Sequence, residues 1–317
     1  MQLWKWIAAI ASTAALGALA QYPQRNITIV VPFTPGTGAD LIARVMQPKL
    51  AQALKVAVIV DNKAGASGAI GTEAVATAAP DGYTLLFTAT SHGTVPALRK
   101  VPYDPEKSFT PVALTATSAM AFVVSPQVPA RSFADFVALA KQKPGELYYS
   151  SPGNGSIQHM TMELTKLENG IDIVHVPYKG SSGAATDLMG GRVQATVAAL
   201  QTMSPFVKSG KLRMLAVFSE ERSPAFPDVP TMKELGHPSL VVDTWYGLFA
   251  PAGTPQEAVQ RINGEVNRIL EEPEVRAVLA KQGLTPVVDR PERLGALVAS
   301  ELARWKHVVS EAKIEAN

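Results

Sequence analysis

Residues Ile27 to Arg44 read ITIVVPFTPGTGADLIAR, and the rest of the chain is organised around them. Ile27, Ile29, Val30 and Val31 have the β-branched density of a strand buried on both faces, as in a parallel α/β sheet. Pro32 to Gly38 end that strand and start a helix. Thr37 and Asp40 have the S/T-x-x-D/E spacing in which a hydroxyl caps backbone N–H groups and an acid sits in the electropositive first turn. Such a turn leaves N–H donors pointing outward. In open parallel sheets small ligands bind beyond the carboxyl ends of the strands, where a helix N-terminus suits an anionic group. Thr34 to Asp40 therefore reads as half of an anion site, although a purely structural βα turn accounts for the same Gly and Pro residues.

The same step recurs outward from this stretch. Val56 to Val60 is a second apolar run, followed by DNKAGASGAIG and a small-residue helix from about Ala69 to Ala78. Pro80-Asp81-Gly82 makes a turn, Tyr83 to Thr88 a third strand, and TATSHGTVPAL follows, rich in small hydroxyl residues. Strands alternating with helices indicate a mainly parallel sheet. The apolar segment Val112 to Ser125, broken by Thr115 to Ser118, is the expected first crossing to a second lobe. There Ser132 to Lys141 is a helix with Ser132 as cap and Phe133, Phe136, Val137 and Ala140 on one face. Leu147 to Ser151, Ile173 to Val176, Val193 to Ala199 and Leu212 to Val217 read as strands. Leu240 to Ala250, which contains Trp245, reads as the return crossing. Three helices follow, Pro255 to Glu271, Pro273 to Gln282 and Pro291 to Ala312, each beginning at or just after a Pro or cap. The expected boundaries are a signal peptide at 1–20, a first lobe at 21–121 plus 246–317, and a second lobe at 122–245.

The first twenty residues have the layout of a secretory signal: Lys5, an apolar stretch from Trp6 to Leu19, and Ala18-Leu19-Ala20 before an expected cleavage site. An N-terminal membrane anchor is the alternative, weakened by Ser12, Thr13 and Gly17. Beyond it the chain is long enough for two lobes of about 150 residues each. Cysteine is absent. That excludes disulfides, thiol catalysis, Cys-ligated metals and a lipid on a mature N-terminal Cys. Lys plus Arg number 29 against 27 for Asp plus Glu. Near-neutral charge without a basic run argues against nucleic acid as a partner.

The SSPGNGSIQH turn of the second lobe repeats the device of the first. Gly153 and Gly155 let a ligand approach the backbone, and Ser156 can cap or donate. Two helix starts would then face each other across a cleft. His159, one turn into that helix, lines the cleft, pairs with a neighbouring strand or is exposed. Tyr178-Lys179-Gly180 offers a phenol, a cation and a Gly donor, with an exposed lysine as the plain alternative. Motifs for catalysis are missing: no G-x-S-x-G, H-E-x-x-H or G-x-x-x-x-G-K-[ST] occurs, and Leu41 stands where G-x-G-x-x-G needs its last Gly. His92, His159, His175, His237 and His307 lack metal-ligand spacing. No cofactor, metal or enzymatic activity is expected.

The run VPFTPGTGADLIAR, the loop DNKAGASGAIG, the turn PDGYTLL, the segments GNGSIQHM and VPYKG, and WYGLFAPAGTP together resemble the Bug-type substrate-binding proteins of tripartite tricarboxylate transporters. The motifs stand in the right order over nearly all of the chain beyond the signal. The resemblance implies a two-lobed periplasmic-binding-protein (Venus-flytrap, type II) α/β fold, each lobe a mainly parallel sheet flanked by helices. It further implies a monomeric periplasmic receptor that closes on a small carboxylate and delivers it to a membrane permease. A ligand-dependent signalling partner, or a periplasmic hydrolase on the same fold, is the other reading. Carried over by position, the resemblance places Phe33, Thr34, Pro35, Gly36, Thr37, Gly38 and Asp40 on the cleft, with Thr90, Ser91 and His92 beside them. Ser151, Gly153, Asn154, Gly155, Ser156, His159, Tyr178, Lys179 and Gly180 come from the second lobe. Three departures bear on the ligand. Thr37 replaces the second of two adjacent glycines, Val95 stands where Asn is common, and Ala198 and Ala199 occupy a strand end that often carries Asp, Asn or Ser. The last two remove polar contacts, which points to a carboxylate with a substantial apolar portion, an aromatic acid or a medium-chain dicarboxylate.

Overall fold

The computed structural model describes residues 22–178 and 181–314. The expected signal segment, Lys179 and Gly180 lie outside the described residues. In chain order the elements are β1 (Ile27–Val31), α1 (Gly38–Leu54), β2 (Val58–Asn62), α2 (Ala69–Ala76), β3 (Thr84–Ala89), α3 (Ser91–Leu98) and the long β4 (Phe109–Val124). Next come α4 (Phe133–Gln142), β5 (Tyr148–Ser151), α5 (Ile157–Asn169), β6 (Val174–Pro177), α6 (Ser181–Met189), β7 (Ala195–Ala199), α7 (Leu200–Lys208) and β8 (Arg213–Val217). The chain closes with β9 (Asp243–Pro251), α8 (Gln256–Glu271), α9 (Pro273–Lys281), β10 (Thr285–Pro286) and α10 (Pro291–Glu311).

The strands follow the order β2-β1-β3-β9-β4-β7-β5-β6, with β8 and β10 also pairing with β4. β1 pairs in parallel with β2 and β3, and β5 in parallel with β6 and β7. Each lobe is thus a parallel block of three strands joined to the antiparallel strands that link the lobes. β4 serves both lobes. Its residues up to Ala119 pair with β9, and from Met120 onward they pair with β7. The chain returns just before β9, where Val242 N–H still bonds to Phe218 O in the second lobe.

Burial explains the two lobes. Ile27, Ile29, Val31, Ile42, Met46 and Leu50 from the opening unit pack with Ile262 and Val266 of α8 in one core. Phe122, Phe133, Phe136, Tyr149 and Met160 form another in the second lobe. At roughly 25 cal/mol per Å² of apolar surface removed from water, such cores supply the main stabilisation of a chain without disulfides. The amphipathic α10 takes part in both: Leu294 and Val298 pack in the first lobe, while Trp305 and Val308 belong to the second-lobe core. Ser132 caps α4 as expected, in a full capping box with Asp135, and Gly170 ends α5 in the left-handed conformation at φ 58°.

Candidate ligand site

The parallel pairing of β1 with β2 and β3 brings their three carboxyl-end turns side by side. The first is the Thr34–Gly38 turn, and Asp40 organises it. Its carboxylate accepts hydrogen bonds from Gly36 N at 2.9 Å, Arg44 Nε at 3.0 Å and Asn62 Nδ2 at 2.9 Å. Asn62 also donates to Phe33 O, so β2 holds the turn in place. Burial pushes the Asp40 carboxyl up, but the Gly36 N–H, Arg44 and Asn62 outweigh it and hold the group below the usual aspartate range. Its bonds are spent inside the turn rather than presented to a ligand.

Thr37 does not cap α1 through its hydroxyl as its spacing predicts; that hydroxyl donates to Thr34 O at 3.1 Å. The correction matters for chemistry. Among the described residues nothing accepts from the N–H groups of Gly38, Ala39 and Asp40, and Leu41 is the first to bond back along the helix, to Thr37 O. Three donors thus converge where the helix dipole is positive. Gly36, at φ 86°, leaves the approach open, since a Cβ there would meet nothing within 4 Å. Over the same helix start lies Tyr246: a Cβ on Gly38 would fall 2.5 Å from its hydroxyl. Tyr246 sits on β9 opposite Ala89, the last residue of β3. Burial raises its pKa, so the hydroxyl stays protonated and carries a proton it can donate. Sequence reasoning did not find Tyr246, because nothing local to WYG connects it with Gly38.

Of the β3 turn, Ser91 is part-buried at the start of α3. Thr90 is buried and its hydroxyl accepts from Trp245 N at 3.0 Å. His92 points into the core, a correction to its expected place on the cleft. Its ring is 1% exposed, stacks on Phe249 at 4.6 Å, meets Phe109 edge-on and bonds to Pro105 O at 2.9 Å. Burial lowers its pKa to about 4, and a neutral imidazole in that aromatic nest has no route to an anion.

The second-lobe turn is built differently. Ser156 caps α5, accepting from His159 N and donating to Gly153 O at 2.7 Å. Gly153 N donates to the Ser151 hydroxyl and Gly155 N to His159 Nδ1 at 3.2 Å. Ser151 Oγ lies 2.7 Å from His175 Nε2, and the His159 and His175 rings stack 4.0 Å apart. Tyr178 N bonds to Ser151 O, and the Tyr178 hydroxyl donates to Asp187 at 2.6 Å; burial and that carboxylate push its pKa up to about 12. The N–H groups of Gly153, Gly155 and Ser156 are therefore satisfied within the turn, leaving those of Asn154, Ile157 and Gln158. The two helix starts are organised differently: the Asp40 carboxylate holds the first turn and leaves the first three N–H groups of α1 free, whereas Ser156 caps the third N–H of α5 and leaves the first two.

The lobes meet at this wall. A Cβ on Gly155 would fall 2.6 Å from Leu98 Cδ2 at the end of α3, so Leu98 rests on the Gly155 turn. Beside it, between Pro152, Gln158 and the β7 end at Ala198 and Ala199, lies a cavity of about 50 Å³. A larger cavity of about 650 Å³ flanks the crossing, between α7 and the α9–β10 connection. Leu200 and Gln201, which follow directly on the carboxyl end of β7, line it together with the charged side chains of Lys208, Glu221, Arg222 and Lys281. Among the described residues no group of His, Asp and Glu could hold a metal, and no helix is long and apolar enough to cross a membrane.

Comparison with known proteins agrees with this architecture. Residues 42–314 match the model of the tripartite tricarboxylate transporter family receptors. The chain is 38% identical over 306 residues to protein BugT of Bordetella pertussis (strain Tohama I), covering 96% of this chain and 94% of BugT. It is similar to a solved R. palustris protein with adipate, at 35% identity and TM-score 0.78, covering 93% of this chain and 99% of that one. It is also similar to MatC of Rhodopseudomonas palustris with bound malate, at 34% identity and TM-score 0.75, covering 91% and 100%. The chain thus belongs to the tripartite tricarboxylate transporter receptors, periplasmic solute-binding proteins of the Bug type and not enzymes.

Proposed function

We propose that this receptor, exported through its N-terminal signal to the periplasm, captures a small organic acid between its lobes and delivers it to the membrane subunits of a tripartite tricarboxylate-type permease. The observation that carries this reading is the set of unpaired N–H donors at the start of α1 with the Tyr246 hydroxyl above them. The ligand carboxylate sits there, approached over Gly36, with Thr34, Thr37 and Ser91 at the rim. Charge-assisted bonds from backbone amides are shorter and about twice as strong as neutral ones, so no arginine clamp is needed. Asp40 keeps the turn in shape instead of repelling the ligand, because its charge is neutralised by Arg44 and hydrogen bonds.

Closure then adds the second-lobe wall, Ser151 to Ser156 with His159 beneath it and Tyr178 beside it, and the closed form is what the permease recognises. The relatives solved with adipate and malate favour an acid of similar size. The departures at Val95, Ala198 and Ala199 favour an aromatic acid or a medium-chain dicarboxylate. A thermal-shift panel of organic acids, followed by titration calorimetry, tests the reading. Stabilisation by carboxylic acids and by none of their amides supports it; equal stabilisation by the amides overturns it.

A further inference from the structure

The cavity of about 50 Å³ at the carboxyl ends of β5 and β7 is lined by Ala184, Ala185, Val197, Ala198, Ala199 and Met203, with Gln158, Thr196 and Thr202 as its polar members. Both hydroxyls are spent: Thr196 donates to Ser150 O at 2.9 Å and Thr202 to Ala199 O at 2.7 Å. Ser150 is paired with Thr196 in register, so its side chain stands on the same face of the sheet. Its hydroxyl is buried and has no hydrogen-bond partner. Among the described residues no charged side chain lines the cavity. Asp187 and Arg192, on the same side of the lobe, are paired with each other, and Asp187 also holds Tyr178.

We propose that this cavity is the specificity pocket for the far end of the ligand, and that the ligand is a monocarboxylate with an uncharged, mainly apolar tail rather than a dicarboxylate. The inference rests on the carboxylate-capture reading above and narrows it. A second carboxylate placed among four alanines, a valine and a methionine would lose its water without gaining a counter-charge, with only the uncharged Gln158 to bond it, which is more costly than burying a methyl or a ring edge. At roughly 10–15 Å³ per water-sized group, the cavity takes about three to five such groups, the size of a branched four-carbon end.

The test compares hexanoate with adipate, equal in length and differing in the charge of the far end, by titration calorimetry on the mature protein, with acetate as a head-only probe. Hexanoate is expected to bind at least ~10-fold tighter than adipate. Thr202→Phe, placed on the exposed side of α7, should fill the mouth of the cavity and weaken hexanoate at least ~10-fold while acetate is unchanged; Ala198→Leu should act in the same direction from the cavity floor. Adipate equal to or tighter than hexanoate overturns the proposal and leaves carboxylate capture standing. If Lys179→Ala then removes that adipate preference, the far end is read by a cation instead. Hexanoate affinity unmoved by both variants also overturns the pocket. Failure of every acid to bind overturns carboxylate capture itself.

Discussion

Gly38→Ala strains the donor cluster directly. A Cβ at that position lies 2.5 Å from the Tyr246 hydroxyl, 2.9 Å from Cζ and 3.1 Å from Cε1. Gly38 does not have a positive φ, so its backbone accepts alanine, and the gain in helix propensity is at most about 1 kcal/mol. Tyr246 cannot simply swing aside, because its strand is paired with both β3 and β4 and its ring packs against the first-lobe core. Overpacking of this kind costs about 1–3 kcal/mol. The net loss should be about 1–2 kcal/mol, a fall in Tm of roughly 2–8 °C for a lobe of this size. Tyr246→Phe removes the atom at 2.5 Å, so the double variant should be less destabilised than the sum of the two single ones. On binding, Tyr246→Phe removes one bond to a charged acceptor, about 1.5–3 kcal/mol, or roughly 10- to 100-fold in Kd. Scanning calorimetry and titration of the tightest acid read the two effects separately. Affinity within two-fold of wild type in both variants would show that the hydroxyl is not part of the site.

Three further outcomes follow from the same geometry. Asp40→Asn should lower stability at neutral pH by about 1–3 kcal/mol. Because the folded-state pKa of Asp40 is depressed, its contribution is present above the unfolded value near pH 4 and lost as pH falls through the folded one, so urea midpoints of variant and wild type should converge toward pH 2. Asp243, at the return crossing, behaves oppositely: burial, with Glu220 and Glu301 nearby, pushes its carboxyl up to about 7, and Oδ1 is buried without a partner. The unfolded chain ionises near pH 4 and the folded one near 7, so stability falls across that window as pH rises. Asp243→Asn should abolish the fall, gaining up to about 4 kcal/mol at pH 8 in denaturant titrations. Gly155→Ala places a β-carbon at φ 74° and against Leu98; a loss of about 1–2 kcal/mol and weaker binding are expected by melting and titration.

Much of this was legible in the sequence, for physical reasons. The β-branched run Ile27–Val31 and the Pro-started helices of the C-terminal third are strong local signals, and their elements appear within a few residues of the expected positions. α3 and α7 were not read. SHGTVPAL and LQTMSPFVK have weak helix propensity and an internal Pro, and α3 is held by its packing against α10. The Thr37 cap failed because Asp40, buried and gripped by Asn62 from the next strand, organises the turn in its place. His92 went inward because Phe109 and Phe249, distant in sequence, form a ring pocket beneath α3. Tyr246 reaches Gly38 only once β9 has paired with β3. Spacing within a segment fixed the backbone, and contacts between segments chose which side chains turn into the core and which meet across the turns.

Amide resonances of the labelled protein, followed as hexanoate or another bound acid is titrated in, report most directly on where the carboxylate is held. If the start of α1 grips it, Gly38, Ala39 and Asp40 N–H signals move downfield with a common Kd, while Gly153 and Gly155, already bonded to Ser151 and His159, move much less. Unmoved Gly38, Ala39 and Asp40 together with shifts confined to Gln201, Ser204 and Gly283, around the larger cavity at the crossing, would contradict it.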